Sequence, residues 1–426
     1  MHADIQNVFT PALAIDSADR FAGRQEQLDR ISLALQSDGT QIVIYGNRGV
    51  GKSSLARQLE GLARGDTSVI DRLKLPPHKT PDYLVISIEC DDTIENVDSL
   101  ILRILTEDTA LAPWIPFRIQ KSTTGSEAGG SLNVKVFSAS AKLSDGNTAE
   151  RPALEQDIHA VFGNAINHIL DSKVVSGILF IIDEVDRIKQ RDDLASIIRS
   201  RGADPRVKFC LIGVGTTPQE LILNHESIVR QLAEGCVEMP PMSRGELKEI
   251  FARAHEVLKD DGISFSEEAQ DWIIDIAKGH PFYVHLLGKY SLINALMKSV
   301  TLIDRDLAQQ VLIEIANKGT ATVQEATYQK AIGHSYTREF IVKMLAAEST
   351  EEINTSAVYP KIAQGRGMDA NAISVYVGQL VSEKYGSIIE KTRERHYRFK
   401  DSLFKAYAEA RPYKLRSEQV EIDTTE

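Results

Sequence analysis

Gly46-Asn47-Arg48-Gly49-Val50-Gly51-Lys52-Ser53 sets three glycines, a lysine and a hydroxyl at the spacing of a phosphate-binding loop. Gly46, Gly49 and Gly51 let the backbone approach an anion, so that the N–H groups of the loop, with Asn47, Arg48 and Val50 between the glycines, face phosphate oxygens. Lys52 reaches the β and γ oxygens, Ser53 can hold Mg²⁺, and Ser54 continues the first turn of a helix whose N-terminus points at the anion. The chemistry implied is binding of a nucleoside triphosphate, ATP, with Mg²⁺.

A second run, Leu179-Phe180-Ile181-Ile182-Asp183-Glu184-Val185-Asp186, ends four apolar residues on two acids. Carboxylates there sit at the carboxyl edge of a buried strand, where open α/β sheets bind ligands. Asp183 would hold Mg²⁺ directly or through water, and Glu184 would orient and deprotonate the attacking water. Thr216, following Phe209–Gly215, either touches the γ-phosphate or its water, or belongs to a turn capping the helix from Pro218. Arg230 closes that helix in this reading. It is either a finger that stabilises transferring charge in a neighbouring subunit or an exposed arginine at a helix end, with Arg201 and Arg206 as rivals.

These residues need a scaffold, and the chain supplies one. Five short apolar runs, Ile42–Tyr45, Leu84–Ile88, Ile178–Ile182, Lys208–Ile212 and Cys236–Met239, alternate with helical segments, the pattern of one parallel α/β sheet. Between the second and third lies an insertion, about 111–154, where alternation in 132–137 and 139–143 predicts a protruding hairpin with a flexible base. After Met239-Pro240-Pro241-Met242 the pattern is helical: Glu246–Lys259, a helix capped by Ser266 with Glu267 and Glu268 in its first turn, then about Pro281–Met297 and Asp304–Asn317. Helices near Thr337–Ala347, Ser356–Ala363 and Asp369–Glu383, followed by strands at Ser387–Lys391 and His396–Phe399, read as a winged helix. The expected domains are 1–243, 244–333, 334–416 and a tail 417–426. No internal repeat is evident.

Composition narrows the class. With 426 residues, 42% hydrophobic and 26% charged, the chain reads as an ordinary soluble protein of several domains. The absence of a basic, apolar leader and of any long apolar run predicts a cytoplasmic protein that no membrane holds. Cys90, Cys210 and Cys236 are odd in number and widely spaced, which favours buried packing over zinc or disulfide chemistry. Net charge is −11, yet Lys384–Arg416 holds ten Lys or Arg against four Asp or Glu, a local +6 that leaves −17 for the rest. An acidic body with a basic end points to a localised anionic partner. Arg393-Glu394-Arg395-His396-Tyr397-Arg398-Phe399-Lys400 would make a basic wing for DNA phosphates, whereas the third helix offers Asn371, Ser374, Tyr376 and Gln379 with no base before Lys384.

Phe21-Ala22-Gly23-Arg24-Gln25-Glu26-Gln27-Leu28, the two acid-and-phosphate motifs, the Met-Pro-Pro-Met break, the helical lid and the terminal winged helix together resemble the AAA+/STAND P-loop ATPases. The likeness runs over about 8–110 and 155–412 and looks closest to the archaeal-type STAND ATPases and the Orc1/Cdc6-like initiator ATPases. The resemblance implies that Phe21, Gly23 and Arg24 lie beside the adenine. Initiator-type members carry a lid arginine behind a Gly-Asp pair, whereas this chain reads Ala277-Lys278-Gly279-His280-Pro281, similar to the Gly-x-Pro element of STAND proteins. By that likeness the lid meets the nucleotide through this turn. Pro281 suits a first helical position, and His280 either contacts phosphate or serves as a cap or surface residue. The missing arginine suggests slow turnover of ATP to ADP and phosphate, as suits a switch. Two outputs fit: a nucleotide state that controls assembly and DNA or partner binding by the winged helix, or a signalling or defence regulator that oligomerises with itself or with a protein effector and never touches DNA.

Overall fold

The computed structural model describes residues 7–66, 68, 71, 82–107, 109–121, 132–138, 154–222, 228–317, 322–350, 352–411 and 413. They form two compact units. One comprises Ala14–Gly46 and Lys52–Pro240; the other comprises Asn47–Gly51 with the described residues before Ala14 and from Pro241 onward.

The first unit is built on α1 (Gln25–Gln36), β1 (Ile42–Gly46), α2 (Lys52–Ala63), β2 (Tyr83–Glu89), α3 (Val97–Thr106), β3 (Phe117–Lys121), β4 (Asn133–Ser138), β5 (Leu154–Asp157), α4 (Ile158–Asp171), β6 (Gly177–Asp183), α5 (Leu194–Arg201), β7 (Val207–Val214), α6 (Pro218–Leu221), α7 (Val229–Leu232) and β8 (Cys236–Glu238). All five predicted strands pair in parallel, in the order β2-β6-β7-β1-β8. Their apolar runs are continuous because helices cover both faces: β6 is buried from Gly177 through Ile182 and emerges only at Asp183. Phe180 stacks on Phe209 at 5.1 Å between ring centres and meets Phe162 at 5.4 Å, which fixes β6, β7 and α4 in one core. Register aligns Glu89 with Asp183 and Gly46 with Val214, so the strands end together at one edge.

The insertion departs from expectation. β4 pairs antiparallel with β3 and with β5, giving a three-stranded sheet in place of a protruding hairpin; residues 139–143 lie outside the described residues. The cause is apolar: Phe117, Ile119 and Val136 pack against the main core, and the Leu132 N–H donates to Asp98 Oδ2 of α3 at 2.7 Å. The helix from Pro218 also differs, since it lasts one turn and Arg230 lies in the separate short helix α7.

In the second unit α8 (Arg244–Leu258) opens with a reciprocal cap between Ser243 and Glu246. There follow β9 (Ser264–Phe265), α9 (Glu267–Ala277), α10 (Pro281–Lys298), β10 (Leu302–Ile303) and α11 (Arg305–Asn317). Phe9, 1% exposed, fills the middle of this bundle against Phe251, Phe265 and His285. Next come α12 (Thr322–Ile332), α13 (Tyr336–Ala346), β11 (Glu352–Asn354), α14 (Thr355–Arg366), α15 (Ala370–Val381), β12 (Ile389–Arg393), β13 (His396–Phe399) and α16 (Ser402–Ala410). The sheet order β11-β13-β12 beside three helices is the winged-helix arrangement read from the sequence. Its core holds a buried Glu339 that accepts the Tyr328 hydroxyl at 3.0 Å, so the acid is hydrogen-bonded rather than stranded.

Candidate nucleotide site

β1 reaches the sheet edge at Gly46, whose φ of 149° and surroundings exclude any side chain: a Cβ there would lie 2.6 Å from the Met239 carbonyl oxygen. Gly49 and Gly51 follow at φ 76° and 97°, a left-handed path that other residues adopt only at a cost of about 1–2 kcal/mol. Helix α2 begins at Lys52, whose ammonium donates to the Gly46 carbonyl at 3.0 Å and so folds back across the loop. Val50 is fully buried, Asn47 is half-buried, and Arg48 is exposed. Ser54 faces elsewhere and accepts the Ile15 N–H at 3.0 Å.

The acid motif meets this loop directly. Ser53 Oγ donates to Asp183 Oδ2 at 2.8 Å, and Asp183 Oδ1 accepts the Glu184 N–H at 2.8 Å. A hydroxyl and a carboxylate side by side are an all-oxygen donor pair, which fits Mg²⁺. Among the described residues no three His, Cys, Asp or Glu side chains converge on one point. A cation that also takes phosphate oxygens and waters needs no such cage. Glu184 follows at φ 55°, and its carboxylate pairs with Arg187 Nε at 2.6 Å. Asp186 turns the other way and accepts the Val214 N–H at 2.9 Å, tying the ends of β6 and β7 together.

The remaining sequence candidates divide. Phe21 and Arg24 are 6% and 3% exposed, on a tight turn where Gly23 and Arg24 are both left-handed (φ 62° and 64°) before α1. Thr216 is exposed, and both its N–H and its hydroxyl donate to Glu220, so its hydrogen bonds serve the turn into α6. Arg201 donates to the His159 carbonyl at 2.7 Å and Arg206 pairs with Asp204 at 2.7 Å. Arg230 is exposed and makes no ion pair among the described residues. In the second unit His280 is 2% exposed, not a surface residue, and stands at the N-cap of α10 ahead of Pro281. The Gly279 carbonyl accepts the Met242 N–H at 2.7 Å, and a Cβ on Gly51, counted in this same unit, would lie 3.9 Å from Pro281 Cγ. Lys278 pairs with Glu409 at 3.0 Å. Cys90 and Cys210 are buried and Cys236 half-buried; burial first, then the nearby Asp183 charge, pushes the Cys90 thiol up to about 12, which leaves it protonated packing material.

Residues 20–208 match the AAA ATPase domain family. The loop, both acids and most of the sheet fall inside that span, and the chain resembles the AAA+ P-loop ATPases as its motifs suggested. No curated protein matches the chain by sequence. Among solved structures it is similar to Cdc6p from Pyrobaculum aerophilum, at 13% identity and a TM-score of 0.46 over 95% of this chain and 96% of that one. It is also similar to the Aeropyrum pernix Orc1 protein in complex with DNA, at 14% identity and a TM-score of 0.46 over 95% of both chains. The RuvB Holliday junction branch migration motor of Thermotoga maritima matches at 16% identity and 0.41 over 89% and 92%. At such identities and scores none of these neighbours lends the chain its ligand or partner. Among the described residues no helix is long and apolar enough to cross a membrane.

Arg187 and Asp186 were not singled out in the sequence. Arg187 stands three residues after Glu184, a spacing that a single 3₁₀ turn converts into contact, and that was the available signal.

Proposed function

We propose that the protein is an ATP-binding, slowly hydrolysing switch of the AAA+/STAND type, whose nucleotide state governs how its winged helix engages a partner. The observation that carries this reading is the 2.8 Å contact of Ser53 Oγ with Asp183 Oδ2, which joins the phosphate loop to the acid pair. Lys52 would neutralise the β and γ oxygens, the loop N–H groups would cradle them, and Ser53 with Asp183 would hold Mg²⁺. The metal, when bound, offsets charge on the phosphate oxygens. Phe21, Gly23 and Arg24 would flank the base, and Gly279-His280-Pro281 would carry the lid's contact. Hydrolysis then needs one water: its oxygen bonds to the γ-phosphorus, the bond to the β–γ bridging oxygen breaks, and ADP leaves with that electron pair. The proton lost by the water passes to Glu184 and on to phosphate or solvent. The lid turn holds Lys278, paired with Glu409, and no arginine, which supports slow turnover. Arg230, exposed and unpaired among the described residues, is the candidate finger for a neighbouring copy.

For the output, a protein partner is the better-supported reading. Of the four polar residues on α15, Gln379 accepts from Arg338 Nη2 at 3.0 Å, and Tyr376 flanks the same guanidinium. The helix face left exposed holds Asn371, Ser374, Val375 and Gly378, without charge. DNA is the second reading, favoured by Lys391 and Arg395, exposed on the wing and without ion pairs among the described residues. Titration with a fluorescent ATP analogue tests the first part: saturable, Mg²⁺-strengthened binding is expected, and absence of binding ends the proposal. Affinity for duplex DNA across a salt series separates the outputs, since phosphate contacts give a linear fall of log affinity with log salt.

A further inference from the structure

We propose that residues 9–15 are a tether that bounds how far the lid can open and so slows the release of bound nucleotide. This role rests on the ATPase reading above and adds to it a control on product release. The segment is gripped at both ends, by the helix that follows the phosphate loop and by the helix that follows the lid turn. On the lid side Phe9 is buried, its ring 6.0 Å from that of Phe251 and 5.6 Å from that of Phe265 between centres. The Thr10 N–H donates to His285 Nδ1 at 3.3 Å. Gly288 has no room for a side chain, because a Cβ there would lie 2.7 Å from the Phe9 ring. Pro281, His285 and Gly288 recur at i, i+4 and i+7, so the tether grips α10 along the face that Pro281 begins.

The other grip is on α2. Ser54 Oγ accepts the Ile15 N–H at 3.0 Å, and one turn on, the Gln58 amide donates to the Ile15 and Asp16 carbonyls at 2.9 and 3.2 Å. Gln58 and Ile15 are both buried, which shields these contacts from water and strengthens them. Ser54 follows Ser53, the hydroxyl assigned to Mg²⁺, so each grip is on a helix whose first turn is assigned to the nucleotide. Each also lies inside one compact unit. The chain passes between the units at Leu13–Ala14, at Pro240–Pro241 and around the phosphate loop. A lid joined only at Pro240–Pro241 could swing freely, whereas a second connection limits the swing to the reach of its intervening residues. Those are Pro11, Ala12, Leu13 and Ala14, gathered into a turn by the Leu13 N–H donating to the Thr10 carbonyl at 3.4 Å. Drawn straight, the stretch from Thr10 to Ile15 spans at most about 18 Å. The tether thus has slack and a fixed limit. Nucleotide leaves when the lid turn withdraws, so that limit holds the product longer.

The test is the release of a fluorescent ADP analogue from the full chain, chased with excess unlabelled ADP. Gly-Ser spacers that double and then quadruple the intervening segment are placed between Leu13 and Ala14, where the Leu13 side chain is exposed. Both grips are kept. Each doubling is expected to speed release about threefold, because the entropy of closing a flexible segment grows as three-halves of the logarithm of its length. Phe9→Ala, which removes the lid grip, is expected to release the analogue at least as fast as the longest spacer. A rise graded with length is a readout that a purely structural strap would not give. Release that does not change with spacer length overturns the tether, whatever Phe9→Ala does to folding. If the parent protein retains no analogue, the nucleotide reading falls with the tether; if it retains the analogue and its release is blind to spacer length, only the tether falls.

Discussion

The phosphate loop with its acids and the winged-helix module both set charged groups at the ends of strands and helices, yet they use them in opposite ways. At the sheet edge, Lys52 donates to the Gly46 carbonyl and Ser53 to Asp183, on either side of a glycine that has no room for a side chain. In the winged module the charges are paired within the fold: Arg393 with Glu352, Arg398 with Glu390, and Arg411 with Glu325. The first two pairings lower the charge the wing can offer a nucleic acid. Count of bases alone is therefore a poor guide to an anionic ligand; what distinguishes a site is the backbone that leaves donors converging.

Removing the acid assigned to the water is the sharpest way to break the comparison. Glu184→Gln is expected to lower kcat for ATP by about 10²–10⁴-fold, the usual worth of a positioned general base, while binding is kept. Turnover at the parent rate would mean another group positions the water. Lys52→Ala comes next, with affinity for ATP lowered on the order of a hundredfold because a charge-assisted contact to phosphate is lost. Equal ATP affinities by isothermal titration would remove Lys52 from the site.

Two glycines sharpen the same contrast through stability. Gly46→Ala drives a Cβ to within 2.6 Å of the Met239 oxygen at a backbone angle that disfavours it, so a loss of about 1–3 kcal/mol is expected in urea unfolding. Gly378 lies in α15 with open space around it, and alanine there is expected to stabilise by up to about 1 kcal/mol through helix propensity. If both substitutions act alike, the sheet edge is not the tighter place.

The same contrast decides what was legible in the sequence. The five parallel strands and the loop were readable because unbroken β-branched runs and a glycine spacing each permit few backbone solutions. Strand order was not, because it depends on which helix crosses which face. Alternation in 132–137 says that a strand has two unlike faces, not which strands flank it; the run from Phe117 through Ile119 supplies one of those partners. In the wing the basic residues are plain in the sequence, yet Glu352 lies some forty residues from Arg393 and only the fold brings it within 2.7 Å. The Arg187–Glu184 pair is hidden in the sequence for the converse reason. The two residues are near neighbours, but a spacing of three means contact only once the turn type is known.

Lys343 offers a smaller test inside the winged module. Its ammonium donates to the carbonyls of Ala408 and Glu409 at 2.9 and 3.1 Å and to that of Arg411, capping α16, while burial pushes it down to about 8. The folded value lies below the unfolded one, near 10.4, so between these the unfolded chain holds more protons and stability from this group rises with pH. Below pH 8 the lysine is charged in both states and its contribution is flat. Unfolding midpoints at pH 7.5, 8.5 and 9.5 should climb less in Lys343→Met than in the parent protein, and parallel profiles would show that Lys343 is not the group that titrates.

The smallest effect bears on the wing itself. Glu352 holds both Arg393 and the Thr392 hydroxyl, and Glu352→Gln frees one guanidinium without altering the strand it lies on. If the wing touches DNA, the freed charge should strengthen binding about two- to fivefold at low salt and steepen the log affinity against log salt slope by about 0.9, the mark of one more phosphate contact. A protein partner predicts neither change, since a neutral helix face of Asn371, Ser374, Val375 and Gly378 gains nothing from a cation on the neighbouring hairpin. A steeper slope in the variant would move the output of the switch to nucleic acid and would show that the glutamates restrain the wing; an unchanged, shallow slope would leave its paired charges with a structural role.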